Sequence, residues 1–187
     1  MKPFEQRAEA ILRRVRPKMI VAEVGVFHGQ LSRILLNGGL YVFMIDNWLS
    51  GEAQSDRYRA TGDFHGTLSV EAVEAAEKSA KAVARPYGSF AQIYKGNSNT
   101  IARSFPDKMF DMVFLDADHS YDGVKEDIHE WMPKVKPGGW LGGHDYGEPP
   151  PGFNVGMNFG VTAAVEEMIA SWYVIETDLN MTWFARL

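Results

Sequence analysis

The chain has 187 residues, 45% of them hydrophobic and 23% charged, a balance that predicts one globular domain over residues 1–187. The absence of cysteine excludes disulfides, thiolate nucleophiles and cysteine-bound metals. The formal net charge of −5 argues against a nucleic-acid partner, because phosphate binding normally uses a basic surface.

The amino-terminal half alternates the periodicities of helix and strand. Its first 18 residues contain no apolar run of signal-peptide or membrane-span length, so we expect a cytoplasmic protein without a membrane partner. The predicted elements are a helix over 5–15, a strand over 19–25, a helix over 30–36 and a strand over 40–45. The polar, glycine-dotted stretch 49–66 predicts a loop or lid.

The remaining elements follow the same alternation. They are a helix over 68–83, strands over 90–94 and 110–115, a helix over 121–135 that Lys136-Pro-Gly-Gly139 ends, a strand over 140–143, a helix over 161–170, and strands over 172–176 and 181–187. The turn between the last two strands is too short for a crossover helix, so they must be antiparallel. The pattern predicts an α/β fold, a Rossmann-like doubly wound sheet of seven strands that is mostly parallel and ends in an antiparallel hairpin.

Polar residues follow the predicted strands at their carboxyl ends. They are Glu23, Asp46, Asn97, Asp116, and His144 with Asp145. Ligands of doubly wound sheets bind at this edge, so these residues predict a binding cleft. The segments 49–66 and 147–160 are expected to bracket its mouth and recognise the second substrate.

The loop after the first strand distinguishes between two nucleoside cofactors. A dinucleotide site needs Gly-x-Gly-x-x-Gly, but Phe27 stands where the second glycine should be. A carboxylate at Glu23 suits a ligand that carries an ammonium and a sulfonium better than a pyrophosphate. Asp46 lies about 20 residues beyond the glycine loop, the spacing at which a carboxylate meets ribose hydroxyls. The pattern favours a cationic nucleoside over NAD.

These motifs resemble a known family. The run Glu23-Val-Gly-Val-Phe-His-Gly29 resembles motif I of class I S-adenosylmethionine-dependent methyltransferases, Asp46 resembles the acid of their second motif, and residues 110–116 resemble their fourth strand. More specifically, residues 115–124, 136–146 and 160–165 are similar to a broad bacterial and phage group of small methyltransferase-like proteins.

The resemblance implies S-adenosyl-L-methionine as the cofactor and a set of residues that bind it. Glu23, Gly25 and Gly29 would line the methionine moiety, with Val26 and Phe27 between them. Asp46 would bind the ribose, with Asn47 and Trp48 beside it. Asn97 and Ser98 would approach the adenine, and Asp116 would complete the site. Trp48 is expected to cover the adenine or the acceptor, or alternatively to be an ordinary buried core tryptophan. For the glycines the alternative is a plain strand-to-helix turn, and for Asp46 it is a helix cap.

A more distant similarity links the chain to catechol and caffeoyl-CoA O-methyltransferases, which use a divalent cation. Asp116 and Asp145 match two of their metal ligands, Tyr146 replaces an asparagine, and His119 occupies the position of their basic lysine. The similarity implies His119 as general base and Asp116 as a second catalytic residue. It also implies an Mg²⁺ or Mn²⁺ site with Asp116 and Asp145 as ligands, which His144 would complete because tyrosine is a poor metal ligand. Alternatively there is no metal, the carboxylates contact cofactor or cap turns, and His119 only bonds the following turn.

The sequence therefore predicts an S-adenosylmethionine-dependent methyltransferase (EC 2.1.1.-) that methylates a hydroxyl of a small-molecule acceptor, with or without a metal. One alternative is a non-catalytic protein of the same fold that binds a nucleoside or a partner. A weaker one is a nicotinamide-dependent oxidoreductase. A homodimer is compatible with the sequence, although nothing in it requires one.

Overall fold

The computed structural model describes residues 1–148 and 156–187. Its strands are β1 Ile20–Val24, β2 Tyr41–Asp46, β3 Ala91–Lys95, β4 Phe110–Leu115, β5 Val135–Gly143, β6 Ile175–Asp178 and β7 Thr182–Arg186. Its α-helices are α1 Pro3–Leu12, α2 Gln30–Asn37, α3 Asp56–Arg59, α4 Val70–Ala84, α5 Ser98–Ala102, α6 Tyr121–Trp131 and α7 Val161–Val165. Short 3₁₀ turns cover Gly51–Ala53, Phe64–Thr67, Arg85–Phe90 and Met132–Lys134, and a π-helical turn, Glu166–Ala170, continues α7.

All seven strands form one sheet in the order β3-β2-β1-β4-β5-β7-β6. Strands β1 to β5 pair parallel with one another, whereas β7 pairs antiparallel with both β5 and β6. β1 lies inside the sheet between β2 and β4, and four of its five residues are therefore buried. The predicted seven-stranded, mostly parallel sheet with its antiparallel hairpin is confirmed, and the carboxyl ends of β1 to β5 meet at one edge.

Helices cover both faces of the sheet. On one face α6 and α7 bury Ile128, Trp131 and Val165 against the strands. On the other face α1, α2 and α4 bury Ile11 and Leu35 among their partners. This two-layer cover explains why the parallel strands read as continuous apolar runs in the sequence. No helix among the described residues has the length and apolarity that crossing a membrane requires.

Some predicted boundaries were wrong, each for a local physical reason. Helix α6 ends at Trp131, before the predicted Lys136–Gly139 stop, because Pro133 lacks an N–H and lies in the 3₁₀ turn Met132–Lys134 that follows. The Pro-Gly-Gly run lies inside β5, where the pairing with β4 is irregular.

Two other segments hold structure that the sequence did not predict. The stretch 49–66, predicted as a loop, contains α3 and two 3₁₀ turns, with Ser55 and Asp63 as side-chain caps. The short helix α5 was missed, although the Asn97 side chain caps it by accepting a hydrogen bond from the Thr100 N–H. Of the predicted segment 147–160, residues 149–155 lie outside the described part of the chain.

Candidate active site

A cavity of about 800 Å³ opens at the carboxyl edge of the sheet. Its volume lies in the range of small-molecule and cofactor sites. Among its lining residues are nearly all those singled out from the sequence: Glu23, Gly25, Val26, Phe27, Asp46, Asn47, Trp48, Asn97, Ser98, Asp116, His119, His144 and Asp145. The structure thus brings together strand ends that lie far apart in the sequence.

The loop between β1 and α2 forms the wall of the cavity near Asp116. Gly25 has a φ of +95°, and a Cβ there would overlap the carbonyl oxygen of Asp116, so only glycine fits. Gly29, with a φ of +76°, starts α2 and packs against Ala80 of α4. Gly29 does not line the cavity, so its place in the fold is that of a residue that shapes the loop.

The carboxylate of Asp46 holds this loop in place. Its Oδ2 accepts hydrogen bonds from the N–H groups of Val26 and Phe27, each at 2.8 Å. Its Oδ1 accepts from the Trp48 N–H at 2.8 Å, and the Trp48 indole donates to the Phe27 carbonyl at 2.9 Å. Trp48 is buried, as expected of a core tryptophan, and it also borders the cavity. A carboxylate has about four acceptor sites, so Asp46 retains room for one more donor.

Glu23 lies at the base of the cavity and is 1% exposed. Ser32 donates a hydrogen bond to Glu23 Oε2 at 2.6 Å. Burial raises the pKa of Glu23 to about 8, and the nearby negative charge of Asp116 adds to this effect while Arg7 opposes it. Glu23 is therefore mainly protonated at neutral pH in this structure, and a cation beside it would favour the carboxylate.

At the other end of the cavity, Ser98 is committed to internal contacts. Its hydroxyl donates to Asp127 Oδ1 at 2.6 Å and accepts from the Trp131 indole N–H at 2.7 Å. Asp127 is buried, which raises its pKa to about 7. Asp127 was not predicted as a site residue because it lies on α6 and not at a strand end.

His119 lies at the centre of a cluster of three carboxylates. Its Nδ1 is 2.7 Å from Asp63 Oδ2, and its Nε2 is 3.4 Å from Asp116 Oδ1 and 3.3 Å from Asp145 Oδ2. Burial opposes the charge of the imidazolium, but the hydrogen bonds to Asp116 and Asp63 and the charge of Asp145 outweigh it and raise the pKa of His119 to about 10. The ring also stacks on Phe159, with 4.6 Å between centroids.

Asp63 was not predicted as a site residue, although it fixes the orientation of His119. It comes from the segment 49–66 and also accepts a hydrogen bond from the Tyr58 hydroxyl at 3.1 Å. The only sequence signal was its position as a cap of the turn Phe64–Thr67.

The predicted metal ligands converge. Asp116, His144 and Asp145 each offer one ligand atom, and these atoms lie within 4.8 Å of one another. Arg7 of α1 enters the same place: its Nη1 is 3.2 Å from Asp116 Oδ2 and 3.3 Å from His144 Nδ1. Burial would raise the pKa of Asp116, but the charges of Arg7 and His144 outweigh it and hold the pKa well below its usual range. Arg7 was not predicted from the sequence.

Several solved structures share this fold although their sequences are only 10% to 15% identical to this chain. A protein from Staphylococcus aureus assigned as a caffeoyl-CoA O-methyltransferase has a TM-score of 0.63 and 15% identity, over 98% of this chain and 82% of that one. An rRNA methylase from Streptococcus thermophilus has a TM-score of 0.60 and 10% identity, over 100% and 96%. The 1,6-didemethyltoxoflavin-N1-methyltransferase of Burkholderia thailandensis, which holds S-adenosylhomocysteine, has a TM-score of 0.60 and 12% identity, over 99% and 76%.

The chain spans only 46% to 57% of the length of three further structures with this fold. No match was found among curated proteins. The sequence model of a family described as a methyltransferase domain, Methyltransf_24, matches residues 22–146, from β1 to the end of β5 and the cluster around His144. The chain belongs to this methyltransferase-domain family.

Proposed function

We propose that the protein is an S-adenosylmethionine-dependent methyltransferase that methylates a hydroxyl group of a small molecule. The observation that carries the proposal is the placement of His119, buried at the cavity, oriented by Asp63 through Nδ1 and turned with Nε2 toward Asp116 and Asp145. A base that a carboxylate orients through its second nitrogen is a recurrent arrangement for deprotonating a hydroxyl.

The cofactor site is the loop side of the cavity. The residues proposed to bind S-adenosylmethionine are Glu23, Gly25, Val26, Phe27, Asp46, Asn47, Trp48, Asn97, Ser98 and Asp116, with Gly29 shaping the loop. Glu23 offers a buried acid to the cationic end of this ligand, and Asp46 keeps an acceptor site for a ribose hydroxyl. When bound, the cofactor supplies the electrophilic methyl group.

His119 then accepts the proton of the acceptor hydroxyl. A base must be neutral, whereas the three carboxylates raise the pKa of His119 to about 10. Positive charge next to Asp116 and Asp145 would weaken two of the interactions that favour the imidazolium, so the pKa falls toward neutrality when the site is filled. Asp63 keeps Nδ1 protonated and leaves Nε2 as the basic atom.

The residues present fit a divalent cation. Two carboxylates and one imidazole suit Mn²⁺ or a similar ion better than Mg²⁺, which prefers oxygen ligands alone. Asp116, Asp145 and His144 would hold it, and Arg7 Nη1 would have to leave, because it contacts two of these three residues. Such an ion would lower the pKa of an acceptor hydroxyl.

A small acceptor is favoured over nucleic acid because the net charge is −5 and acids surround the site. A related fold serves an rRNA methylase, so this assignment needs a direct test with RNA among the acceptors. A cytoplasmic location and a homodimer stay predictions.

The first test is isothermal titration with S-adenosylhomocysteine, with and without Mn²⁺, and with NAD as the control. Micromolar binding of S-adenosylhomocysteine and no binding of NAD are expected. Absence of S-adenosylhomocysteine binding under every condition would refute the proposal.

The second test measures methyl transfer to a panel of hydroxyl acceptors by His119→Asn and by His129→Asn, the latter an exposed histidine outside the cavity. We expect His119→Asn to bind S-adenosylhomocysteine normally and to lose about 10²–10⁴ in rate, while His129→Asn behaves as wild type. Equal rates in the two variants would remove His119 from the mechanism.

A further inference from the structure

Arg7 has a donor that no residue of the described chain satisfies. Arg7 lies on α1 and lines the cavity, and its Nη1 contacts Asp116 and His144. The Nε–H is buried and has no hydrogen-bond partner among residues 1–148 and 156–187. A buried donor of this kind normally has a partner, so a ligand is the natural candidate.

The free edge of this guanidinium has a defined shape. The Nε–H and one Nη2–H bond are parallel and point to the same side, away from Nη1. Two parallel N–H donors match the two oxygens of a carboxylate in a bidentate pair. In the metal-free protein the contact of Nη1 with Asp116 fixes one side of the guanidinium, and Nε on the opposite edge has no partner among the described residues.

The charges around Arg7 match a zwitterion. Glu23 is buried and Asp116 half-buried beside the cavity, and both interact electrostatically with Arg7. Two acids next to one guanidinium complement an α-amino acid group, with its ammonium toward the acids and its carboxylate toward the arginine. The methionine part of the proposed cofactor carries this group.

We propose that Arg7 binds the α-carboxylate of the methionine moiety of S-adenosylmethionine. This inference rests on the proposed function, because it takes that cofactor as the ligand. It assigns to α1, which precedes the region matched by the family model, a direct part in cofactor binding. An acidic group on the acceptor is the other possible source of a carboxylate, and the experiment separates the two.

The experiment compares two ligands that differ in the amino-acid group. S-adenosylhomocysteine has it and 5′-methylthioadenosine lacks it. Their dissociation constants are measured by isothermal titration for wild type, Arg7→Gln, Arg7→Lys and the control Arg16→Gln, which removes an exposed arginine beyond α1. We expect Arg7→Gln to weaken S-adenosylhomocysteine binding by about 10-fold to 100-fold and to leave 5′-methylthioadenosine within about twofold.

Arg7→Lys keeps the charge without the bidentate edge, so it should recover part of this loss, and Arg16→Gln should change neither ligand. If Arg7→Gln does not fold, the gap between the two ligands in Arg7→Lys decides the question. Equal weakening of both ligands would show a structural role and overturn the inference. Unchanged S-adenosylhomocysteine affinity would also overturn it and leave the acceptor as the source of the carboxylate. Wild type that binds no S-adenosylhomocysteine would defeat the proposed function itself, a result distinct from either of these.

Discussion

Replacing Asp63 by Asn tests whether this carboxylate sets the protonation of His119. The Asp63 oxygens accept hydrogen bonds from His119 Nδ1 at 2.7 Å, from the Tyr58 hydroxyl at 3.1 Å, and from the backbone N–H and the ring Nδ1 of His65, each at 2.9 Å. Asn has nearly the same shape but only one acceptor oxygen and no charge. The substitution therefore removes electrostatic support from His119 while it changes the packing little.

The expected change in the pKa of His119 follows from the strength of a buried, charge-assisted hydrogen bond, about 1.5–3 kcal/mol. One pH unit of pKa corresponds to about 1.4 kcal/mol, so the pKa of His119 should fall from about 10 by about one to two pH units. The folded-state pKa of His119 lies above its unfolded value of 6.5. Its stabilising contribution is thus complete below pH 6.5 and is lost as the pH rises toward 10. Asp63→Asn should therefore lower the free energy of unfolding at pH 7 by about 1–3 kcal/mol, with a smaller loss near pH 10.

The assay is an NMR titration of the histidine ring signals in wild type and Asp63→Asn, together with denaturant unfolding at pH 7 and pH 10. His119→Asn identifies the signal of His119, and the exposed His129 serves as the internal control. A His119 titration that is the same in both proteins would refute the role given to Asp63. So would a loss of stability that does not depend on pH.

Gly25→Ala should abolish S-adenosylhomocysteine binding and lower the free energy of unfolding by several kcal/mol. The control Gly138→Ala, also at positive φ but with open space around it, should lower the free energy of unfolding by only about 1–3 kcal/mol. Thermal unfolding and titration calorimetry compare the two variants, and equal effects would contradict the overlap of a Cβ at Gly25 with Asp116. Arg7→Gln should strengthen Mn²⁺ binding by about tenfold, because it removes a cation that contacts Asp116; unchanged Mn²⁺ affinity in calorimetry would show that the ion and the guanidinium do not compete. Glu23→Gln should raise the free energy of unfolding of the ligand-free protein at pH 8 by about 2–5 kcal/mol and leave it nearly unchanged at pH 4.5. The pKa of Glu23 lies at about 8 in the folded chain, so wild type loses stability as the pH rises between these values; parallel pH profiles would refute this.

The inner parallel strands β1, β2 and β4 could be predicted closely because they are buried on both faces. β4 was predicted as residues 110–115 and occupies Phe110–Leu115, since a short apolar run interrupted only by Asp111 and bounded by turn residues has few other solutions. Helix α5 and the turns of residues 49–66 could not be predicted in this way. They are four or five residues long at most, and their stability comes from caps and tertiary contacts more than from periodicity.

The site residues at strand ends could likewise be predicted from the sequence, whereas those outside the sheet could not. Asp116, His144 and Asp145 could be predicted to meet, because the topology of a parallel sheet places all strand ends at one edge. Asp63 and Arg7 could not, because each reaches His119 or Asp116 from outside the sheet through packing that no local pattern encodes.

The residues missed by the sequence analysis change how the predicted ones work. Glu23 was predicted to act through its negative charge, but burial leaves it mainly protonated until a cation arrives. His119 was predicted as a base, but three carboxylates keep it protonated until positive charge comes between them. Both groups therefore need the same event, the arrival of a cationic ligand beside Asp116, to reach the state that the proposed chemistry requires. Arg7 already places one positive charge beside Asp116, so a cationic ligand either adds a second positive charge there or displaces the guanidinium. Binding of a cationic ligand is thus what removes a proton from both Glu23 and His119. The pH profile of Glu23→Gln measures the protonation of Glu23, and the pH profile of Asp63→Asn measures that of His119.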